Sequence, residues 1–166
     1  MKTTTAATAC LAALAAAAPA MADLGDGLFS AGGHVTVEIL SSDAGYTSDL
    51  SLIWPSAIAI GSNRDTGLVL DLGEFTAGTE MIFQLNVRDT GDAFQTGPAA
   101  RNPDGLIHAN VTWEGPYTAV VGFEDINGGG DHDYNDCQFR FTGVVPAPGT
   151  IALAGLGGAF CLRRRR

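Results

Sequence analysis

Alternation of apolar and polar residues at every second position is the feature that most constrains how this chain can fold. The clearest run is Met81, Phe83, Leu85 and Val87, which is interleaved mostly with polar residues. Successive side chains of a β-strand point to opposite faces, so such a run predicts a strand with one buried face. Helical periodicity is nearly absent from the central part of the sequence, and we therefore expect an all-β fold.

Seven runs of this kind are separated by turn sequences rich in Gly, Asn, Asp and Pro, for example the segments 89–92 and 102–105. The runs cover residues 35–39, 50–54, 68–72, 81–87, 107–113, 119–123 and 137–141. Seven or eight short strands must bury their apolar faces against a second sheet. The sequence therefore predicts one antiparallel β-sandwich or jelly-roll-like domain over residues 23–143.

The first 22 residues are typical of a cleaved secretory signal peptide. Lys2 precedes an apolar stretch at 6–18, and small residues around Ala20 and Ala22 provide a cleavage site. Such a stretch is too short to span a bilayer and suits a signal peptidase. We expect a short signal helix that is removed from an exported protein.

The C-terminal segment 144–166 also has the composition of a targeting signal. A motif with Pro146 and Pro148 precedes an apolar run at 151–162 and four arginines at 163–166. As a helix, this run rises only about 18 Å, against a hydrocarbon core of about 30 Å. The arginines favour the cytoplasmic side, so the domain would face outward.

These three C-terminal features together resemble the PEP-CTERM sorting tail of bacterial exported proteins. The resemblance implies recognition by an exosortase-type membrane protease, transient membrane contact through a short apolar transmembrane helix, and delivery to the cell surface or extracellular matrix. A simple tail anchor is the alternative interpretation.

Charge and cysteine content exclude several classes of function. Residues 23–149 carry 18 acidic residues against four arginines, which leaves a net charge of about −14 and excludes nucleic acid as a partner. Only Cys137 lies in this segment, so neither an intrachain disulfide nor a multi-cysteine zinc site can form there. Its position in the run 137–141 predicts a buried packing residue.

The densest chemistry lies in the segment 124–136, where five carboxylates occur without a Lys or Arg. If the flanking strands pair, Asp125 and Asp136 lie nearly opposite each other and repel. Calcium would relieve this repulsion, because it binds six to eight oxygen atoms from carboxylates, amide carbonyls and water. We therefore expect calcium as a cofactor, bound by the alternating oxygen donors Asp131, Asp133 and Asn135, with Glu124 or Asp125 closing the site from the incoming strand. A solvated acidic turn without a metal is the alternative.

The same segment is similar to the domain of unknown function 4114. The similarity lies in Gly122-Phe123-Glu124-Asp125, a glycine stretch, and Asp131-x-Asp133-Tyr134-Asn135-Asp136, and it extends over roughly residues 50–141. It implies an all-β exported domain without an established activity. It also implies that the acidic motif binds calcium, with the ligands drawn from Glu124, Asp125, Asp131, Asp133, Asn135 and Asp136.

The sequence gives little support to catalysis. Glu124 and Asp125 are adjacent, so in a strand they point to opposite faces and cannot flank one glycosidic bond. No nucleophile elbow or zinc-binding helix motif is present, and His108 is expected to be a hydrogen-bonded structural residue. We therefore expect a structural or adhesive protein rather than an enzyme.

A carbohydrate-binding module that acts on exopolysaccharide is the stronger alternative, and other surface proteins are further possible partners. Its candidate aromatic residues are Trp54, Trp113, Tyr46, Tyr117 and Tyr134. The two tryptophans follow the apolar parity of their strands, which favours packing in the core.

Overall fold

The computed structural model describes residues 23–147, which form twelve β-strands and one short 3₁₀ helix at Ala99–Arg101. The strands are β1 (Asp23–Leu24), β2 (Leu28–Ser30), β3 (Gly33–Ile39), β4 (Ser48–Trp54), β5 (Ile58–Ser62), β6 (Val69–Phe75), β7 (Glu80–Val87), β8 (Ala93–Gln95), β9 (Ala109–Gly115), β10 (Thr118–Phe123), β11 (Cys137–Thr142) and β12 (Val144–Pro146). The predicted signal peptide and nearly all of the predicted sorting tail lie outside the described residues.

Residues 23–147 form an all-β domain, and its strands form two antiparallel sheets. The first sheet has the order β1-β9-β10-β11-β3-β6. The second has the order β12-β2-β7-β4-β5, and β8 pairs with the end of β7. Within residues 23–147, no helix is long and apolar enough to cross a membrane.

One apolar core lies between the two sheets. The run that indicated β7 alternates between buried and half-buried residues along its whole length, as a strand with one core face should. Phe83 of the second sheet meets Phe141 of the first with ring centroids 4.2 Å apart. Because the inner residues of both sheets belong to one buried cluster, the arrangement is that expected of a sandwich.

The alternation predicted the seven longer strands but not the short ones. Strands β1, β2, β5, β8 and β12 have two to five residues each, which is too few to show a period. The run predicted from residue 107 is shorter in the structure, because β9 begins at Ala109. At the other end of the domain, β12 pairs with β2 and its Val144 is fully buried, so the sheet extends beyond residue 143.

The prediction that the side chain of Trp54 packs in the core is wrong. The register of β4 against β7 shifts between Leu52 and Trp54, and the side chain of Trp54 is 56% exposed. An irregularity of this kind turns the following residues to the other face of the sheet. Trp113 is partly buried and packs against the core, as expected, although its indole nitrogen has no hydrogen-bond partner.

Five loops meet at one end of the domain, which we call the acidic end. They follow β3, β5, β7, β8 and β10 and comprise residues 40–47, 63–68, 88–92, 96–108 and 124–136. Hydrogen bonds connect them across the two sheets, for example from Ser48 at the start of β4 to Asp125 after β10. The acidic segment singled out in the sequence is therefore held by neighbours from both sheets.

Candidate cation site

Left-handed backbone conformations shape the loop 124–136, which we call the acidic loop. Gly128, Gly129 and Gly130 have φ angles of 91°, 86° and 56°, and His132 and Tyr134 have φ angles of 64° and 56°. Glycine adopts such angles readily, whereas a residue with a Cβ needs support from its surroundings. This sequence of turns folds the loop back on itself and brings its second half over Glu124.

Glu124 is one of two buried carboxylates of the loop, the other being Asp125. Glu124 is only 1% exposed, and its Oε1 accepts a hydrogen bond of 2.6 Å from the backbone N–H of Tyr134. Oε2 faces Gly130, where a methyl group would collide with it. Oε2 accepts no hydrogen bond from the residues that the structure describes. Because Oε2 itself keeps some contact with solvent, water or a ligand can reach it from the surface of the loop.

Two exposed carboxylates join Glu124. One oxygen from each of Glu124, Asp131 and Asp133 lies within 4.8 Å of the others. Burial raises the pKa of Glu124, and the charges of Asp136, Asp131 and Asp133 raise it further. Because the loop has no Lys or Arg, no permanent positive charge of the loop balances the three carboxylates.

Asp125 and Asp136, two of the six predicted ligands, form a separate pair. The backbone N–H of Asp125 donates to Oδ2 of Asp136 at 3.0 Å, which confirms that the two residues are close neighbours. The side chain of Asp125 turns away from the cluster into the protein and accepts a hydrogen bond from Ser48 at 3.4 Å. Burial, followed by the charge of Asp136, raises the pKa of Asp125 to about 6.

Cys137 lies beside this pair. It is fully buried, as predicted, and burial raises the pKa of its thiol to about 12, with a further contribution from the charge of Asp125. The thiol is therefore neutral and unreactive at physiological pH.

Asn135, the remaining predicted ligand, orients the carboxylate of Asp133. Its side-chain amide nitrogen and its backbone N–H both donate to the carboxylate of Asp133. The structure thus brings three of the six predicted residues into one cluster and gives the other three supporting positions.

The loop 40–47 holds the second half of the acidic loop. The hydroxyl of Ser42 donates to the carbonyl of Asp136 at 2.6 Å, and the backbone N–H of Asp43 donates to the carbonyl of Asn135 at 3.3 Å. Ser42 in turn accepts a hydrogen bond from the buried amide of Asn63. These contacts fix residues 135 and 136 without providing an oxygen to the cluster.

Asp104 and His108 hold the first half of the loop, and the sequence reasoning missed Asp104. Oδ2 of Asp104 accepts hydrogen bonds of 2.9 Å from His108 Nε2 and from the backbone N–H of Gly128. Burial alone would raise the pKa of Asp104, but hydrogen bonds from Gly128, His108 and Leu106 lower it to about 2. In the sequence, Asp104 stands out only as part of the turn at 102–105, which backbone conformation explains and which lies within the similarity to DUF4114.

The chemistry of the cluster suits a hard divalent cation. Carboxylate oxygens are the ligands that calcium prefers, and carbonyl groups and water complete its coordination. With two of the three carboxylates exposed, several coordination positions remain open to solvent. The geometry is compatible with a calcium site at the surface of a preformed loop.

The aromatic candidates for sugar binding are dispersed. Tyr134 donates from its hydroxyl to the carbonyl of Ile107 and belongs to the loop framework. Tyr117 and Trp54 are more than half exposed, and they lie near the end of the domain opposite the acidic loop. Tyr117 lines an open groove of about 450 Å³ together with Thr36 and Thr142, whereas Trp54 does not line it.

Comparison with protein families gives a match to a segment of the chain that contains this site. No curated protein and no solved structure matches the chain. The matching segment begins at the end of β6 and includes Asp104, His108 and the whole loop 124–136, so it starts later than the similarity seen in the sequence. Residues 75–144 match the family described as a domain of unknown function, DUF4114.

Proposed function

We propose that the chain is an exported, non-catalytic protein of the cell envelope or extracellular matrix, in which calcium binds to Glu124, Asp131 and Asp133 and stabilises the acidic loop. The observation that carries the proposal is the carboxylate of Glu124. It is buried, one of its oxygens has no donor, and two exposed carboxylates converge on it. A divalent cation would coordinate that oxygen and at the same time reduce the repulsion among the three carboxylates.

Calcium fits this site better than magnesium. Magnesium requires a nearly ideal octahedron and gives up its water reluctantly, whereas calcium accepts irregular sets of oxygen ligands at 2.3–2.6 Å. A ligand that binds only the folded state stabilises it by about 2.7 kcal/mol at a hundredfold excess over Kd. The expected role is structural, and a cation at this position would keep the loop closed for a structural or adhesive task outside the cell.

Thermal unfolding in different cations tests the proposal. Millimolar calcium should raise the melting temperature of the wild-type chain by several degrees, and sodium at matched ionic strength should not. The double substitution Asp131→Asn/Asp133→Asn should remove the response to calcium.

A matched control separates a specific site from general screening. Asp43→Asn/Asp92→Asn removes the same charge at the acidic end from side chains outside the cluster. This control should respond to calcium like the wild type. An equal loss of response in both double variants would mean that calcium only screens the surface, and the site would be rejected.

Export and sorting form the second part of the proposal. The segments 1–22 and 148–166 carry it through their sequence alone, since both lie outside the described residues. Removal by a signal peptidase and by an exosortase-type protease would leave a product without the apolar ends. Mass spectrometry of the native protein tests this, and an intact arginine terminus in the membrane fraction would instead indicate a simple anchor.

Binding of a neutral saccharide is a second candidate function, which the groove beside Tyr117 favours. An exposed aromatic ring next to the hydroxyl groups of Thr36 and Thr142 offers stacking and hydrogen bonds to a sugar. Calorimetric titration with neutral oligosaccharides tests this candidate. Tyr117→Ala should abolish binding, whereas Trp54→Ala, which removes an exposed ring outside the groove, should retain it.

A further inference from the structure

We infer that Asp104 and His108 are positioning residues of the cation site, which they hold in its binding geometry through the main chain of the acidic loop. The inference rests on the calcium site proposed above. It identifies a second loop, residues 102–108, as a determinant of calcium affinity, although neither side chain belongs to the carboxylate cluster.

His108 connects the two loops from inside the protein. The residue is fully buried and stacks on Phe94 with ring centroids 3.7 Å apart and an interplanar angle of 9°. Its Nδ1 lies 3.0 Å from the carbonyl oxygen of Glu124, and its Nε2 lies 2.9 Å from Oδ2 of Asp104. Both partners are acceptors, so a ring nitrogen that carries a hydrogen donates to the partner it faces.

The backbone of Glu124 is fixed from two sides by this contact. Its N–H donates to the carbonyl of His108 at 2.9 Å, and its carbonyl oxygen faces the ring of the same residue. The conformation of Glu124 determines where its carboxylate points. A histidine that holds the main chain of this residue therefore controls the direction of the buried ligand.

Asp104 fixes the opposite arm of the site. The carboxylate oxygen that contacts His108 also accepts the N–H of Gly128, which lies between Glu124 and Asp131 in the chain. Its other oxygen accepts the N–H of Leu106 and holds the second loop in place. The carboxylate of Asp104 thus connects Glu124, through His108, to the turn that positions Asp131.

Substitution of a residue that orients metal ligands typically lowers metal affinity by a factor of 10 to 100. His108→Phe keeps an aromatic ring stacked on Phe94 and removes both hydrogen bonds. We expect its calcium Kd to rise by about 10- to 100-fold. Asp104→Asn is a milder variant, whose single carbonyl oxygen cannot accept from His108, Gly128 and Leu106 together, and it should shift the Kd in the same direction.

Calorimetric titration of the full-length chain with calcium, at a temperature well below the melting temperature of each variant, tests the inference. Asp92→Asn is the matched control, because it removes one negative charge of the acidic end without breaking a contact to the site. Its Kd should change much less than that of His108→Phe, because Asp92 lies outside the carboxylate cluster. If His108→Phe does not fold, Asp104→Asn decides the outcome.

Hydrogen exchange supplies a readout that a loss of stability alone would not move. In the wild type, calcium should slow exchange of the Gly128 and Leu106 amides, both of which donate to Asp104, and in His108→Phe this effect should disappear. Wild-type affinity in His108→Phe and Asp104→Asn overturns the positioning role and leaves the calcium site intact. Absence of calcium binding by the wild type overturns the calcium site and the positioning role together.

Discussion

Replacement of Asp125 by Asn should stabilise the calcium-free domain at neutral pH. Asp125 is 1% exposed and lies against Asp136, and its pKa is raised from 3.8 to about 6. Between these pH values the folded chain keeps a proton that the unfolded chain has lost. The stability of the folded state therefore falls as the pH rises from about 4 to about 6, and the loss is complete at pH 7.

The magnitude follows from the pKa. One pKa unit corresponds to about 1.4 kcal/mol, so ionised Asp125 costs the folded state roughly 3 kcal/mol at pH 7. An Asn at this position is always neutral, can donate to the carboxylate of Asp136 and can still accept from Ser48. We expect Asp125→Asn to gain up to about 3 kcal/mol at pH 7, which is about 10 °C in melting temperature for a domain of this size.

Chemical unfolding in chelator at pH 4, 5, 6 and 7 measures this effect. The difference in free energy of unfolding between Asp125→Asn and the wild type should grow across this range. Asp92→Asn serves as the control for general charge repulsion and should show a much smaller change. A variant that is less stable than the wild type at pH 7, or a difference independent of pH, would refute the reasoning.

Three further substitutions test individual contacts. Cys137→Ala should cost about 1 kcal/mol of stability through a small cavity and leave calcium affinity unchanged, and thiol labelling of the native wild type should be slow. Gly122→Ala should cost about 1–3 kcal/mol and weaken calcium binding, because its new methyl group would collide with the carbonyl of Tyr134, whose N–H orients Glu124. Arg88→Ala should leave the free energy of unfolding nearly unchanged, because its ion pair with Asp49 is exposed.

The longer strands could be predicted from the sequence because each buries one face against a shared core. The alternation in residues 81–87 reports that burial directly. The short strands could not be predicted, because pairing at a sheet edge leaves almost no pattern in three residues. Pro146 is an example, since proline tends to break a strand yet lies in β12 at the edge of the second sheet.

The candidate site was predicted in part for a similar reason. Local carboxylate density identified Glu124, Asp131 and Asp133, which are brought together by turns within one loop. Asp125 follows Glu124 directly, but its side chain points the other way and lies outside the cluster. Asp104 contacts Gly128 across 24 positions, and no local pattern reveals such a contact.

Anomalous X-ray scattering from a crystal of the chain grown with calcium tests the central claim most directly. The account predicts one ordered peak within about 2.3–2.6 Å of carboxylate oxygens from Glu124, Asp131 and Asp133. It also predicts that the peak is absent in crystals of Asp131→Asn/Asp133→Asn grown under the same conditions. A calcium-saturated crystal in which Glu124 Oε2 contacts only water, with no peak between the three carboxylates, would contradict the account.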